Sequence, residues 1–317
     1  MPLRIIFCGT PAFAVPTLRH LIAQPDFKIE GVVTQPDRPR GRGREIAVSP
    51  VKAFAAEAGI AVYQPPKVKS PESLEYFRRV APDVVVIIAY GQIISAPLIA
   101  IPRLGWINLH ASLLPKYRGA APINWAIANG EFLTGLTTMQ IDPGLDTGPM
   151  LLKHEVPIAA DETAPELTER LAQAGSALMD ATLHGLAAGT LAPVPQENAQ
   201  ATFAPILKKE NGRIDWQLPA PTIYNRIRGL QPWPGAFTLF RGLNCHIWGR
   251  PASPEAAAYI IGTSPGTALA SGSDLFVSCG EQTALALESL QLEGRKRVSA
   301  REFLNGAHLS SGERFGA

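Results

Sequence analysis

Two polar side chains, Asn108 and His110, interrupt an otherwise apolar run in the stretch Trp106 to Arg118, WINLHASLLPKYR. In a strand, residues i and i+2 point to the same face, so Leu109 turns into the packing while the amide and the imidazole project side by side. One hydrogen-bond donor and one titratable base then share a pocket. A histidine in an apolar strand is more often a satisfied core residue than a catalyst, but a second polar side chain on the same face shifts that weighting. The small residues Ala111 and Ser112 follow in a helix-opening loop, at the strand end where open α/β sheets place their ligands. Asp146 stands between two glycine-bearing turns of IDPGLDTG, where an Asx turn is the plain explanation for an aspartate.

The elements that must position these groups read as a doubly wound α/β sheet. RIIFCGTPAFAVPTLRHLIAQ is an apolar strand, a Gly-Thr-Pro turn and a helix; the turn lacks G-x-G-x-x-G spacing, which argues against a dinucleotide site. Val84 to Ala89 is a β-branched run fit for burial on both sheet faces. Tyr90 and Gly91 close it, at the carboxyl edge of the sheet. Helices are expected from near Pro50, after a turn within PPKVKSPESLEYFRRV, over GAAPINWAIANG, and in a long amphipathic stretch capped at Asp161 or Thr163. Two strands flank the loop Asp142–Gly148.

The chain has 317 residues, 46% of them hydrophobic and 18% charged, enough for two medium domains. No run of eighteen apolar residues is present, and MPLRIIFCGTP reads as strand and turn rather than signal peptide, so a cytoplasmic protein is expected. Cys8, Cys245 and Cys279 are widely spaced, and the histidines show no H-x-x-H pattern; neither a disulfide framework nor a metal is expected.

Charge is uneven. Residues 207–317 hold 12 Lys and Arg against 9 Asp and Glu, a net +3 that leaves −1 for the rest of a chain whose total is +2. Between Pro36 and Lys52, Arg38, Arg40, Arg42 and Arg44 recur at every second residue in PDRPRGRGREIAVSPVK. Its Pro and Gly content suggests an irregular loop whose arginines could track successive phosphates. Residues 190–208 are rich in Ala, Pro and Gln and read as a linker between a domain over 1–189 and one over 209–317. Beyond it, short strands alternate with Gly and Asn turns, which suggests a small antiparallel barrel of about five strands. Lys208, Lys209, Arg295, Lys296, Arg297 and Arg301 flank it, a candidate oligonucleotide surface.

FCGTPAFAVPTL, VTQPDRPRGRG, SPVK, AYGQI, INLHASLLPKYRGAAPINWAI, DPGLDTG, RIDW and PWPGAF, taken in order, closely resemble the methionyl-tRNA formyltransferases of the folate-dependent formyltransferase family. The resemblance runs from Phe7 to about Phe240. It implies transfer of a formyl group from 10-formyltetrahydrofolate to the α-amino group of methionine on initiator tRNA. It also implies a Rossmann-like, mostly parallel sheet with helices on both faces, followed by an OB-like barrel. The catalytic trio falls on Asn108, His110 and Asp146. The folate-binding segment falls on Ser112, Leu113, Leu114 and Pro115, with Tyr90, Gly91 and Asp142 nearby. Arg38, Arg40, Arg42, Arg44, Lys208, Lys209, Arg295, Lys296 and Arg297 are the candidates for tRNA contact. No metal and no obligate protein partner are expected, and a monomer suffices.

The chemistry fits these residue types. Attack of an amine on a formamide carbon builds negative charge on oxygen and positive charge on nitrogen, so the site needs a donor and a proton acceptor. Asn108 can supply the first. Neutral His110 can take the amine proton, or as imidazolium add a second contact to the oxygen, with Asp146 orienting the ring from hydrogen-bond distance. A free α-amino group titrates at about 7.7–8.0 and is substantially unprotonated near neutral pH. Formylation of a sugar-nucleotide amine, or tRNA binding without chemistry, are the alternative readings.

Overall fold

The computed structural model describes residues 1–40, 45–259, 262–310 and 312–316, leaving aside the side chains of residues 39, 40, 45 and 46. Two compact units emerge. Unit 1 comprises Met1–Pro122, Leu133–Pro157 and Leu167–Pro205; unit 2 comprises Ile123–Phe132, Ile158–Glu166 and Ile206–Ala317.

Strands β1 (Leu3–Gly9), β2 (Phe27–Val33), β3 (Arg38–Arg40), β4 (Glu45–Ala47), β5 (Val62–Tyr63), β6 (Val84–Ile88), β7 (Trp106–His110), β8 (Leu133–Gln140) and β9 (Met150–Pro157) lie in unit 1. Seven of them form one sheet in the order β5-β2-β1-β6-β7-β8-β9. Neighbours run parallel from β5 to β7, and the last two strands are antiparallel. The chain's helices are α1 (Val15–Ala23), α2 (Pro50–Glu57), α3 (Pro71–Val80), α4 (Ala96–Ile99), α5 (Pro122–Ala128), α6 (Ala164–Ala188), α7 (Ala220–Gly229), α8 (Pro254–Ala258) and α9 (Ala300–Ala307).

Local chemistry sets the helix starts. Ser49 and Ser70 accept from the backbone N–H of Lys52 (3.1 Å) and Ser73 (3.3 Å). A proline follows each cap, where its missing N–H costs nothing. Before α6 the Thr163 N–H and hydroxyl both donate to Glu166 Oε2 at 2.8 and 2.7 Å, the Glu half of a capping box. All five residues of β6 are buried, as its β-branched run requires at the centre of a sheet covered on both faces. One face packs Ile6, Cys8, Val85 and Ile87 against Phe77, Leu98 and Trp106. The Trp106 indole N–H donates to Leu98 O at 2.8 Å, which fixes the start of β7.

Two local expectations need correction. Arg38–Arg40 is not irregular: it pairs antiparallel with Glu45–Ala47, Arg38 opposite Ala47. An extended Pro-Arg segment can form an edge ladder wherever proline's missing donor faces outward. Arg42 and Arg44 lie outside the described residues. The loop after β7 does not open a helix directly. Residues 111–121 stay irregular until α5, because their backbone N–H groups are taken by Thr137 and Thr202 rather than by a helical ladder.

Unit 2 holds an antiparallel sheet of six strands, β10 (Phe237–Phe240), β11 (Leu243–Pro251), β12 (Ala268–Ser271), β13 (Asp274–Ser278), β14 (Ala284–Leu292) and β15 (Val298–Ser299). Their order is β10-β11-β14-β13-β12, with β15 on β14. Ile223 and Ile227 of α7 and Phe303 of α9 pack with Trp216, Phe240, Ile247, Leu275 and Leu290 in its core. The short segments from earlier in the chain are bound in by polar contacts. Asn124 Nδ2 donates to Gly229 O at 2.8 Å, and the Tyr224 hydroxyl to Asp161 Oδ1 at 2.7 Å.

Candidate active site and nucleic-acid surface

β7 sits between parallel β6 and antiparallel β8, and ends at the carboxyl edge of the sheet with His110 opposite Thr137 and Asn108 opposite Met139. The alternation of a strand leaves Asn108 half-buried and His110 buried on a shared face. Among the described residues the Asn108 side chain makes no hydrogen bond, so its amide is uncommitted.

His110 is held through one ring nitrogen and faced by a carboxylate at the other. Nε2 lies 2.9 Å from Tyr117 O. A carbonyl can only accept, so Nε2 carries a proton and the neutral ring presents an unprotonated Nδ1. Facing Nδ1 at 3.7 Å is Asp146 Oδ2. That separation is ion-pair distance and lies beyond the hydrogen bond expected from sequence. The same oxygen accepts the Gly119 N–H at 2.8 Å, which draws it away. The carboxylate therefore faces Nδ1 without bonding to it.

Asp146 reaches this position in the left-handed region, at φ 51°, a conformation that aspartate tolerates better than most residues. The loop around it is built from its own side chains. Asp142 Oδ1 accepts from Gly144 N (3.0 Å) and Thr147 Oγ1 (2.8 Å). Asp142 is thus occupied in holding the loop. At Gly148 a Cβ would stand 1.8 Å from Gln140 O, so only glycine lets the returning strand pass.

The segment Ser112–Pro115 is equally constrained. Ser112 is fully buried and donates to Lys116 O at 2.6 Å, while Thr137 Oγ1 donates to Ser112 O (2.7 Å) and accepts from Leu114 N (3.1 Å). Thr137, unremarkable in sequence, clamps this loop from the strand beside it. Tyr90 lies at the carboxyl edge of β6, and its side chain is buried in a cluster with Phe77 and Trp106. Burial pushes the phenol far above its usual range. The Tyr90 carbonyl accepts from Thr10 Oγ1 and Gln35 Nε2, both at 3.1 Å. Gly91 follows at φ 83°.

Of residues 190–208, read from composition as linker, those up to Pro205 belong to unit 1. Thr202 accepts from Tyr117 N through its hydroxyl and from Arg118 N through its carbonyl, both at 2.9 Å, and Ala204 N donates to Arg118 O at 2.8 Å. Gln196 and Asn198 accept from the buried Arg118 guanidinium. None of these contacts has a periodic signature in the sequence.

The basic candidates of unit 2 are exposed, and two of their sequence-distant clusters converge. Lys209 and the turn Glu293–Gly294, just before Arg295, line one groove with Phe237, His246 and Gln291. Beside it the Arg297 guanidinium lies 3.8 Å from the centre of the Trp248 ring, a cation–π contact. Its Nε donates to Ser289 Oγ at 2.8 Å. Burial, with Lys209 nearby, holds the His246 imidazole below its ordinary value. In unit 1, Arg38 is exposed and reaches Gln35 Oε1 at 3.4 Å. No group of three or more His, Cys, Asp or Glu among the described residues could hold a metal ion. No helix among them is long and apolar enough to cross a membrane.

Both parts of the chain have counterparts among known proteins. The formyl transferase profile matches residues 3–183, and the formyl transferase C-terminal domain profile matches residues 206–308. The chain belongs to the formyl transferase family. Among formyl transferase relatives, the methionyl-tRNA formyltransferase of Solibacter usitatus is 52% identical, covering 99% of this chain and 99% of its own. That of Geobacter sulfurreducens is 48% identical over 99% of this chain and 97% of its own. Two solved structures share the fold at low identity. One is WlaRD, a sugar 3N-formyl transferase determined with dTDP and 5-N-formyl-THF, at TM-score 0.67 and 18% identity over 93% of this chain and all of its own. The other is HypX from Aquifex aeolicus with tetrahydrofolic acid, at TM-score 0.64 and 14% identity, covering 99% of this chain and 49% of HypX.

Proposed function

We propose that this chain transfers the formyl group of 10-formyltetrahydrofolate to the α-amino group of methionine on initiator tRNA, in the cytoplasm and as a monomer. The observation that carries the chemistry is the pairing of an uncommitted Asn108 amide with a His110 ring whose Nε2–H is bound to Tyr117 O. In the reaction a bond forms between the methionine nitrogen and the formyl carbon, and the bond from that carbon to N10 of the folate breaks. Asn108 donates to the formyl oxygen as it gains negative charge, an interaction worth roughly 3–4 kcal/mol in comparable acyl transfers. His110 receives the amine proton on Nδ1, the ring nitrogen left open, and Asp146 attracts the imidazolium that results. The departing N10 takes up a proton and tetrahydrofolate leaves.

Residues 112–115, with the backbone at Tyr90 and Gly91, hold the folate beside that pair; Asp142 contributes by shaping the Asp146 loop. The acceptor reading draws on the relatives from Solibacter usitatus and Geobacter sulfurreducens. It also draws on the basic residues: Arg38, Arg40, Arg42 and Arg44 in the first domain (1–189), and Lys208, Lys209, Arg295, Lys296 and Arg297 at the start and end of the second (209–317), with 190–208 joining them. An OB-like barrel in the second domain is part of the same proposal. It is supported by the chain end, where Phe315 bridges Phe240 at one edge of the sheet and Arg314 bridges Thr267 beside the other.

The test is formyl transfer from 10-formyltetrahydrofolate to charged initiator tRNA, set beside free methionine and a nucleotide-sugar amine. Formylation of the tRNA-borne amine alone is expected; transfer to the sugar amine and not to the tRNA would overturn the reading.

A further inference from the structure

Gln196 lies in the segment between the two profile matches and makes four hydrogen bonds to nitrogen and oxygen partners that converge on the candidate site, beside a longer Nε2 contact to Met139 Sδ at 3.9 Å. Its Oε1 accepts from Arg118 Nε (3.0 Å) and Nη2 (2.8 Å), and its Nε2 donates to Asp146 O (2.8 Å) and Gly148 O (2.7 Å). The orientation of this amide is settled by its partners. A guanidinium can only donate and two carbonyls can only accept, so a flipped amide would lose all four bonds. One arm therefore ends on the residue next to Tyr117, whose carbonyl anchors His110 Nε2. The other ends on the carbonyl of Asp146, whose backbone sits in the left-handed region at φ 51° and needs its surroundings to keep it there.

We propose that Gln196 is a positioning residue for formyl transfer: by tying the Arg118 turn to the Asp146–Gly148 turn, it sets the separation between His110 Nδ1 and Asp146 Oδ2. The inference rests on the catalytic reading of Asp146. It is specific about which half of the amide matters most. The Oε1 arm satisfies a guanidinium that is only 4% exposed and has no carboxylate partner among the described residues. The Nε2 arm is the one that holds the carboxylate-bearing turn.

Two near-isosteric variants separate the arms. Gln196→Glu keeps an acceptor for Arg118 but turns a second oxygen toward the two carbonyls; Gln196→Met removes both arms at similar volume. Each variant, and Asp146→Asn alone and combined with Gln196→Glu, is assayed in single turnover with excess enzyme, with the apparent KM for the formyl donor and the melting temperature measured alongside. Both Gln196 variants are expected to lower the rate roughly tenfold to a hundredfold, as small misplacements of reacting groups do, with the donor KM unchanged. In the Asp146→Asn background, Gln196→Glu should cost nothing further, because residues that act through one another are not additive. Full activity of both Gln196 variants, or a Gln196→Glu loss that multiplies undiminished with that of Asp146→Asn, overturns the positioning role. A fully active Asp146→Asn protein instead overturns the catalytic reading of Asp146, and the inference with it.

Discussion

His110 Nδ1 and Asp146 Oδ2 face one another at 3.7 Å across 36 positions of sequence, neither bonded nor separated by another side chain that claims the nitrogen. Two other contacts create this spacing: Tyr117 O draws the far side of the ring, and Gly119 N–H draws the carboxylate oxygen. In the proposed reaction, a ring held this way presents a lone pair to the reacting amine and gains its ionic partner only when it takes the proton.

Removal of either polar group of β7 should therefore act on turnover and leave tRNA binding alone. For Asn108→Ala the expected loss in kcat is about 10²–10³-fold, the cost of one oxyanion donor. For His110→Ala it is about 10²–10⁴-fold, the range of a general base. Filter binding of initiator tRNA to both variants checks the separation: lost binding in both would remove these residues from catalysis.

Gly148→Ala should damage the Asp146 turn from within. The added methyl group would stand 1.8 Å from Gln140 O, backbone that cannot move without disturbing the end of β8. Denaturant unfolding should show a loss of about 1–3 kcal/mol, typical of overpacking, with kcat falling in the same protein. Wild-type stability and rate together would mean that this turn has slack the geometry does not suggest.

The exposed basic residues around the groove of unit 2 should reveal themselves through salt. Replacing Lys209, Arg295 and Lys296 together by Ala should weaken tRNA binding and flatten the plot of log K against log salt by roughly 0.7–0.9 for each phosphate left unneutralised. Trp248→Ala, which removes the platform under Arg297, should weaken binding with a smaller change in slope. Slopes identical to wild type for the triple variant would return these residues to ordinary solvated surface.

A pH-dependent contact joins α6 to the N-terminal part of unit 1. His184 Nδ1 lies 2.6 Å from Asp180 Oδ1, and Asp180 also meets His20 Nε2 at 2.5 Å. Burial pulls the His184 imidazole down, but its bonds to Asp180 and Asp26 outweigh that and raise it above its ordinary value. A raised histidine stabilises the fold fully below the unfolded-state value of about 6.5, and that contribution disappears as pH rises through the folded value. His184→Ala should accordingly lower the melting temperature more at about pH 5.5 than at about pH 9. An equal loss at both would show that only the packing of the ring against Phe27 counts.

Much of this was legible along the chain, where the physics is local. β-branched runs marked β6, the period of two placed Asn108 and His110 on one face, and the start of α2 was legible near Pro50. Resemblance over spaced motifs pointed to formyl transfer, since amine formylation constrains a few residue types whose order survives in sequence. Tertiary structure alone decided what depends on groups distant in the chain. It turned the Tyr90 ring into the core while leaving its carbonyl at the edge, and it paired Arg38–Arg40 with Glu45–Ala47. It assigned the His110 tautomer through Tyr117 and left Asp146 just short of a hydrogen bond. It also recruited Thr137, Thr202 and Gln196, from a strand and a stretch of linker composition, to clamp the loops. Such contacts join single donors to single acceptors across tens of residues; they impose no periodicity, and only a folded backbone determines which of many possible partners is within about 3 Å.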